Sequence, residues 1–165
     1  MPQTPTAQPK TPAPAAQPPP PPLPPAMIDD KYGSAADIMA LPQAKLIAIL
    51  KDPEASPYAK AKACQRLAVI GDRTAVAALA GLLTDPQLSA YARYGLEPNA
   101  DPSADAALRA ALPKLKGSLL IGVINSIGLR KDRRSLDALS KLRYDADPAV
   151  ARAADSALAR LRPRL

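Results

Sequence analysis

Apolar residues recur at helical spacing from about residue 34 onward, and four of them mark an internal repeat. Leu67, Leu96, Ile124 and Leu158 are separated by 29, 28 and 34 residues. Twelve residues after each of the first three anchors comes a further leucine: Leu79, Leu108 and Leu136. Each repeat therefore predicts two helices joined by a short turn, with the four anchors in equivalent buried sites. A period near 30 residues is typical of a helical solenoid, in which stacked units share one core.

Proline marks the predicted starts of these helices. A small polar residue precedes proline in Ser56-Pro57, Asp85-Pro86, Asp101-Pro102 and Asp147-Pro148. These pairs predict an N-cap followed by N1, the helical position that favours proline. At the other end, Gly71 and Gly128 close the matching segments LAVIG and INSIG, and both are predicted to be C-caps.

Residues 1–26 differ from the rest, because they hold 12 of the 21 prolines. Such a segment predicts a polyproline II or disordered arm, which separates it from a helical domain over residues 27–165. The arm is either a linker or a ligand for an aromatic-lined groove, with Pro18–Pro25 as the pre-extended strip. It holds no apolar run long enough for a signal peptide or a membrane span.

Two tyrosines predict an outward-facing surface on one helix. The core face of this helix holds Leu88, Ala92 and Leu96, which places Tyr91 and Tyr94 outside as neighbours and Arg93 on the opposite flank. Gly95 is expected to leave room beside Tyr91. In the shared register Leu119 and Gly122 align with these tyrosines. The five candidate partner-binding residues are therefore Tyr91, Tyr94, Leu119, Gly122 and Arg93, unless the tyrosines only shield Leu119.

Three segments resemble a known family: AKACQRLAVIGDRTAVAALAGLLTD (61–85), NSIGLRKDRRSLDALSKL (125–142) and DPAVARAADSALARL (147–161). They resemble the HEAT repeat family, most closely the short HEAT-like repeats of the phycobilin-lyase type, over roughly residues 42–161. The resemblance implies an all-α, right-handed helical solenoid of about 3.5 helix pairs, with the second helices lining a concave face. It implies no particular partner. The last unit stops short, so its helix is either an end cap or one piece of a longer chain.

Composition makes catalysis the less favoured class. The chain has no histidine, so the commonest general base and metal ligand is missing, and the His-Glu motifs of HEAT-like iron-dependent hydroxylases do not carry over. The single cysteine, Cys64, excludes an internal disulfide and is expected to be a small buried thiol. We therefore predict a non-enzyme that needs no cofactor or metal.

Charge is concentrated in the second half of the chain. Residues 27–108 carry a net charge of −2 and residues 109–165 carry +8, within a total of +7. The candidate basic patch contains Arg130, Lys131, Arg133, Arg134, Lys141 and Arg143. It is a solvated face, a surface for an acidic protein partner, or a nucleic-acid site. Nucleic acid is the less favoured partner because no aromatic residues interleave these charges.

The repeat register also predicts which charges meet between units two and three. Asp105 and Arg109 are four residues apart on one helix, as are Arg133 and Asp137 on the next. We expect Asp105 to approach Arg133 and Arg109 to approach Asp137, which would fix the register of stacking.

The sequence thus predicts a non-catalytic protein-interaction or scaffold module whose partner it does not name. The alternatives are a nucleic-acid-binding protein that uses the basic half, and an accessory subunit of a larger protein or enzyme complex. The expected location is the cytoplasm, or outside it as the mature part of an exported bacterial-type protein.

Overall fold

The computed structural model describes residues 27–162, and within this range the chain is α-helical apart from one small hairpin. The hairpin pairs β1 (Ile28–Asp29) with β2 (Gly33–Ser34) in antiparallel register. The helices are α1 (Ala35–Met39), α2 (Gln43–Lys51), α3 (Pro57–Ile70), α4 (Arg73–Ala80), α5 (Ser89–Leu96), α6 (Pro102–Ala111), α7 (Gly117–Arg130), α8 (Leu136–Leu142) and α9 (Pro148–Leu161). Two turns of 3-10 helix, Leu112–Lys114 and Arg133–Ser135, precede α7 and α8. The predicted all-α class is confirmed, whereas the predictions for residues 1–26 lie outside the described residues.

Alternate helices pack against each other in two layers. In one layer α3 contacts α5, α5 contacts α7, and α7 contacts α9; in the other α2 contacts α4 and α4 contacts α6. Leucine, isoleucine, valine and alanine side chains fill the core where these helices meet. Small aliphatic side chains allow close packing of helix on helix. No helix in the described range is long and apolar enough to cross a membrane.

Three of the four predicted capping pairs start a helix. Ser56, Asp101 and Asp147 are N-caps with proline directly after them. The prediction is wrong at Asp85, because α5 begins only at Ser89. Asp85 instead closes a separate turn: its carboxylate accepts the backbone N–H groups of Gln87 at 2.8 Å and Leu88 at 3.1 Å.

The glycines at the predicted helix ends have different roles. Gly71 is the C-cap of α3 as predicted. Gly128 lies inside α7, which continues to Arg130 and ends at Lys131 in the left-handed conformation, with φ 56°. A Cβ atom on Gly128 would lie 3.1 Å from the Cα of Ala157, so this glycine allows α7 and α9 to approach closely.

Three of the four repeat anchors lie in the core. Leu67, Leu96 and Ile124 are at most 1% exposed. Leu158 is only half-buried, whereas the α9 residues Ala157 and Leu161 are buried. The predicted equivalence of the fourth anchor therefore does not hold, because α9 turns its alanine-rich face towards α7 at Gly128.

Candidate functional site

One edge of the structure is formed by the turns that join α3 to α4, α5 to α6, and α7 to α8. Each of these turns contains an aspartate that accepts a backbone N–H two residues later. Asp72 and Asp101 cap α4 and α6 in this way, and Asp132 caps the 3-10 turn before α8. The same local chemistry thus recurs in three successive turns.

Side chains connect these turns to each other. Gln43 accepts the backbone N–H of Asp72 at 2.8 Å and donates its amide to the Thr74 hydroxyl at 2.9 Å. Asn99, which is 4% exposed, donates its side-chain amide to the Asp72 carbonyl at 3.0 Å. Buried polar groups require such partners, so these bonds fix the spacing of neighbouring turns.

Arg130 makes the most extensive of these connections. Its Nη1 donates to the carbonyl oxygens of Leu96, Glu97 and Asn99 at 2.9, 2.9 and 2.6 Å. Its Nε donates to Asp105 at 2.5 Å, and its side chain is only 9% exposed. Arg130 therefore holds the end of α5 and is not available as part of an exposed basic patch.

The predicted charge partners are wrong, although two of the four residues do form ion pairs. Asp105 pairs with Arg130 rather than Arg133, and Arg109 pairs with Asp132 at 2.5 Å rather than with Asp137. The predicted register treated Arg133 and Asp137 as one turn of a helix. In the structure Arg133 lies in the 3-10 turn, and α8 begins after it at Leu136.

Asp132 is held in its ionised form by the groups around it. Burial raises the pKa of this carboxyl, but hydrogen bonds from Ser135 and Arg109 outweigh burial and leave the pKa below its usual value. Ser135 donates its hydroxyl to Asp132 at 2.6 Å. The turn between α7 and α8 is therefore fixed by a charged hydrogen-bonded cluster.

Three shallow cavities with shared lining residues run along this edge, and we call them together the basic furrow. The furrow contains six cationic and four anionic side chains. Its largest section, between residues 71–74 and 99–102, has a volume of about 510 Å³. Four of its cations are exposed and form no ion pair with another described residue: Arg73, Lys131, Arg133 and Arg134.

The remaining residues of the predicted basic patch do not line the furrow. Arg143 pairs with Asp155 of α9, with 2.5 Å between Nε and Oδ1. Lys141 is exposed on α8. Of the six candidates, only Lys131, Arg133 and Arg134 present free charge to this surface.

The predicted tyrosine patch does not form as a single surface. Tyr91 and Tyr94 are exposed, at 39% and 57%. Gly122, however, is buried beneath the guanidinium of Arg93, because a Cβ on Gly122 would lie 2.7 Å from the Arg93 Nε. Leu119 is half-buried against the core. Arg93, and not a tyrosine, therefore covers this part of α7.

Gly95 also has a role that differs from the prediction. It is buried, and a Cβ at this position would lie 2.8 Å from a methyl group of Leu79 and 3.3 Å from the carbonyl oxygen of Cys64. The glycine thus allows α5 to approach α3 and α4 rather than leaving space beside Tyr91. Cys64 is fully buried, and burial raises the pKa of its thiol to about 12.

Tyr91 instead lines a groove with Tyr58, a residue that the sequence analysis did not select. The groove has a volume of about 260 Å³ and lies between the first half of α3 and the start of α5. Its polar lining residues are Lys62, Gln65 and Gln87. We call this surface the tyrosine groove. The repeat register does contain the signal for it, because Tyr91 aligns with Lys62, one helical turn after Tyr58.

Searches against protein-family models and against curated proteins find no match to this chain. Within residues 27–162, no group of three His, Cys, Asp or Glu side chains is placed to hold a metal ion. The chemistry of the basic furrow and of the tyrosine groove is therefore the basis for a functional assignment.

Proposed function

We propose that the chain is a HEAT-like repeat protein that acts as a non-catalytic protein-interaction module. The two-layer packing of alternate helices supports this proposal, because stacked helix pairs are the architecture of α-solenoids. The recurring turn supports it as well: Asp72, Asp101 and Asp132 each cap the segment that follows, at intervals of 29 and 31 residues.

The observation that carries the proposal is the row of unpaired cations along the basic furrow. Arg109 and Arg130 spend their charge on Asp132 and Asp105, whereas Arg73 and Arg134 border the furrow without a described carboxylate partner. An open, shallow surface of this kind suits an extended acidic segment of a protein better than a small molecule. Electrostatic complementarity would then guide association and choose the partner.

Nucleic acid is the rival partner for the same cations. Neither tyrosine of the tyrosine groove lines the furrow, and no aromatic side chain does so among the described residues. Bases would therefore find no ring to stack on, and binding would depend on phosphate contacts alone. Phosphate contacts give an affinity that falls steeply as salt rises.

The test compares two probes on the full chain by fluorescence anisotropy: a labelled polyglutamate peptide and a labelled DNA duplex. The furrow variant combines Arg73→Glu with Arg134→Glu. The matched control combines Lys45→Glu with Arg152→Glu, which changes the net charge equally at exposed sites outside the furrow.

We expect the furrow variant to weaken peptide binding about tenfold, equivalent to about 1.4 kcal/mol, and the control to change it little. Equal weakening by both variants would show that only net charge matters. Tighter binding to DNA than to the peptide, with a steep loss between about 50 and about 200 mM salt, would favour the rival.

A further inference from the structure

The tyrosine groove has the features of a receptor for a polyproline II helix. Tyr58 and Tyr91 supply two aromatic side chains from neighbouring helices, and Leu88 adds an apolar wall. Aromatic-lined grooves accept proline rings, and docking costs little ordering entropy because a polyproline II segment is already extended. The groove therefore matches proline chemistry in its apolar part.

The polar lining of the groove matches the backbone of such a ligand. A polyproline II helix has no internal hydrogen bonds, so its carbonyl oxygens need donors. Gln87 and Gln65 carry side-chain amides, and Lys62 carries an ammonium that donates to Gln65 at 3.2 Å and lies 5.6 Å from the centre of the Tyr58 ring. These groups are suited to bind carbonyl oxygens along a proline-rich strand.

The start of the described chain is fixed next to this groove. Asp29 is 6% exposed, and its carboxylate accepts the Ser56 hydroxyl at 2.5 Å and the Ser56 backbone N–H at 3.2 Å. Ser56 is the N-cap of α3, and the next two residues, Pro57 and Tyr58, line the groove. The segment that precedes residue 27 is thus attached at the groove's own end of α3.

The sequence of that segment supplies the ligand. Residues 18–25 read PPPPPLPP and end four residues before Asp29. Eight residues of polyproline II extend about 25 Å at about 3.1 Å per residue. The part of α3 that lines the groove, residues 57–65, is only about 12 Å long at about 1.5 Å per residue. The strip is therefore long enough to cross the groove from its point of attachment.

We propose that residues 18–25 dock in the tyrosine groove of the same chain as an intramolecular polyproline ligand. So short a connection gives the strip an effective concentration in the millimolar range, so even a weak intrinsic affinity keeps the groove occupied. Any proline-rich segment from another protein must then compete with the chain's own arm. The arm is a built-in competitor for this surface.

The test uses full-length chains and a labelled PPPPPLPP peptide, with anisotropy as the readout. The arm variant replaces alternate prolines of the strip: Pro18→Ser, Pro20→Ser, Pro22→Ser and Pro24→Ser. We expect the peptide to bind the arm variant at least about tenfold more tightly than the wild type, because the intramolecular competitor is removed.

Groove substitutions in the arm variant identify where the peptide binds. Tyr58→Ala with Tyr91→Ala should abolish binding, whereas Tyr94→Ala with Tyr144→Ala, two tyrosines that are 57% and 84% exposed, should not. Circular dichroism checks that each variant is folded. Because Tyr58 is half-buried, Tyr91→Ala alone is the second groove variant, and it should weaken binding even if the double variant unfolds.

Three results would overturn the proposal. Equal peptide affinity for the wild type and the arm variant would show that the arm does not occupy the groove. Unchanged binding after Tyr91→Ala would place the peptide elsewhere. Concentration-dependent self-association of the wild type that the arm variant loses, measured by sedimentation, would show that the arm binds a second copy instead.

Discussion

Replacing Arg130 by alanine removes the largest single set of polar contacts at the edge where the turns meet. The guanidinium donates to three backbone carbonyls at the end of α5 and to Asp105 on α6. Four carbonyls at the end of any helix lack partners within the helix. The side chain of Arg130 thus supplies bonds that the helix itself does not provide.

The magnitude follows from burial. Removal of one partner from a buried ion pair costs about 3–5 kcal/mol, because the other partner loses its compensation. The Arg130 side chain is 9% exposed, but the Asp105 side chain is 25% exposed and regains some water. Water replaces part of the lost bonding at Asp105 but less of it at the carbonyls. We therefore expect Arg130→Ala to lower the free energy of unfolding by about 3–4 kcal/mol, a large part of the 5–15 kcal/mol typical of folded domains.

The assay is urea unfolding followed by circular dichroism, with Arg133→Ala as the matched control. Arg133 is an exposed arginine three residues away, and the repeat register predicted that it would hold Asp105. Exposed substitutions of this kind usually change stability by no more than about 0.5 kcal/mol. A loss below about 1 kcal/mol for Arg130→Ala, or an equal loss for Arg133→Ala, would refute this assignment of the ion pair.

Three further results are expected. Gly128→Val should destabilise by about 1–3 kcal/mol, because its side chain would collide with Ala157, whereas Gly81→Val at an exposed helix end should cost much less; equal urea midpoints would contradict the close approach of α7 and α9. Cys64 should not react with a thiol reagent at pH 8 until urea unfolds the chain, because its thiol is buried and its pKa is raised to about 12. Asp132 has a lowered folded pKa, so its contribution to stability is present above the usual pKa near 3.8 and is lost as pH falls through the folded value; Asp132→Asn should flatten the fall in urea midpoint below about pH 4, and an unchanged slope would contradict this.

The helix starts were the most predictable part of the fold, because capping is local chemistry. A side-chain oxygen and the following proline suffice to define Ser56, Asp101 and Asp147 as N-caps. The same signal failed at Asp85, whose carboxylate closes its own turn before α5 begins at Ser89. A capping residue therefore predicts a turn more securely than it predicts the first residue of a helix.

The ion pairs were less predictable, because they depend on where α7 ends. Gly128 resembles a C-cap in sequence but is used for packing against Ala157, so α7 extends to Arg130. That extension brings Arg130, rather than Arg133, to Asp105. Local sequence contains no signal for this choice, because the contact that decides it lies on another helix.

The two candidate surfaces lie near opposite ends of α3, which leads to a final prediction. Pro57 and Tyr58 at its first turn line the tyrosine groove, whereas Gly71 and Asp72 just after its last turn line the basic furrow. Fourteen helical residues separate these ends by about 20 Å, beyond the range of about 7–10 Å within which substitutions usually couple. The arm variant should therefore bind the polyglutamate peptide with the same affinity as the wild type. A change of more than about threefold would show that the arm reaches the furrow or that the two surfaces are coupled through α3, whereas equal affinities would establish that a partner in the furrow and a strip in the groove can be bound at the same time.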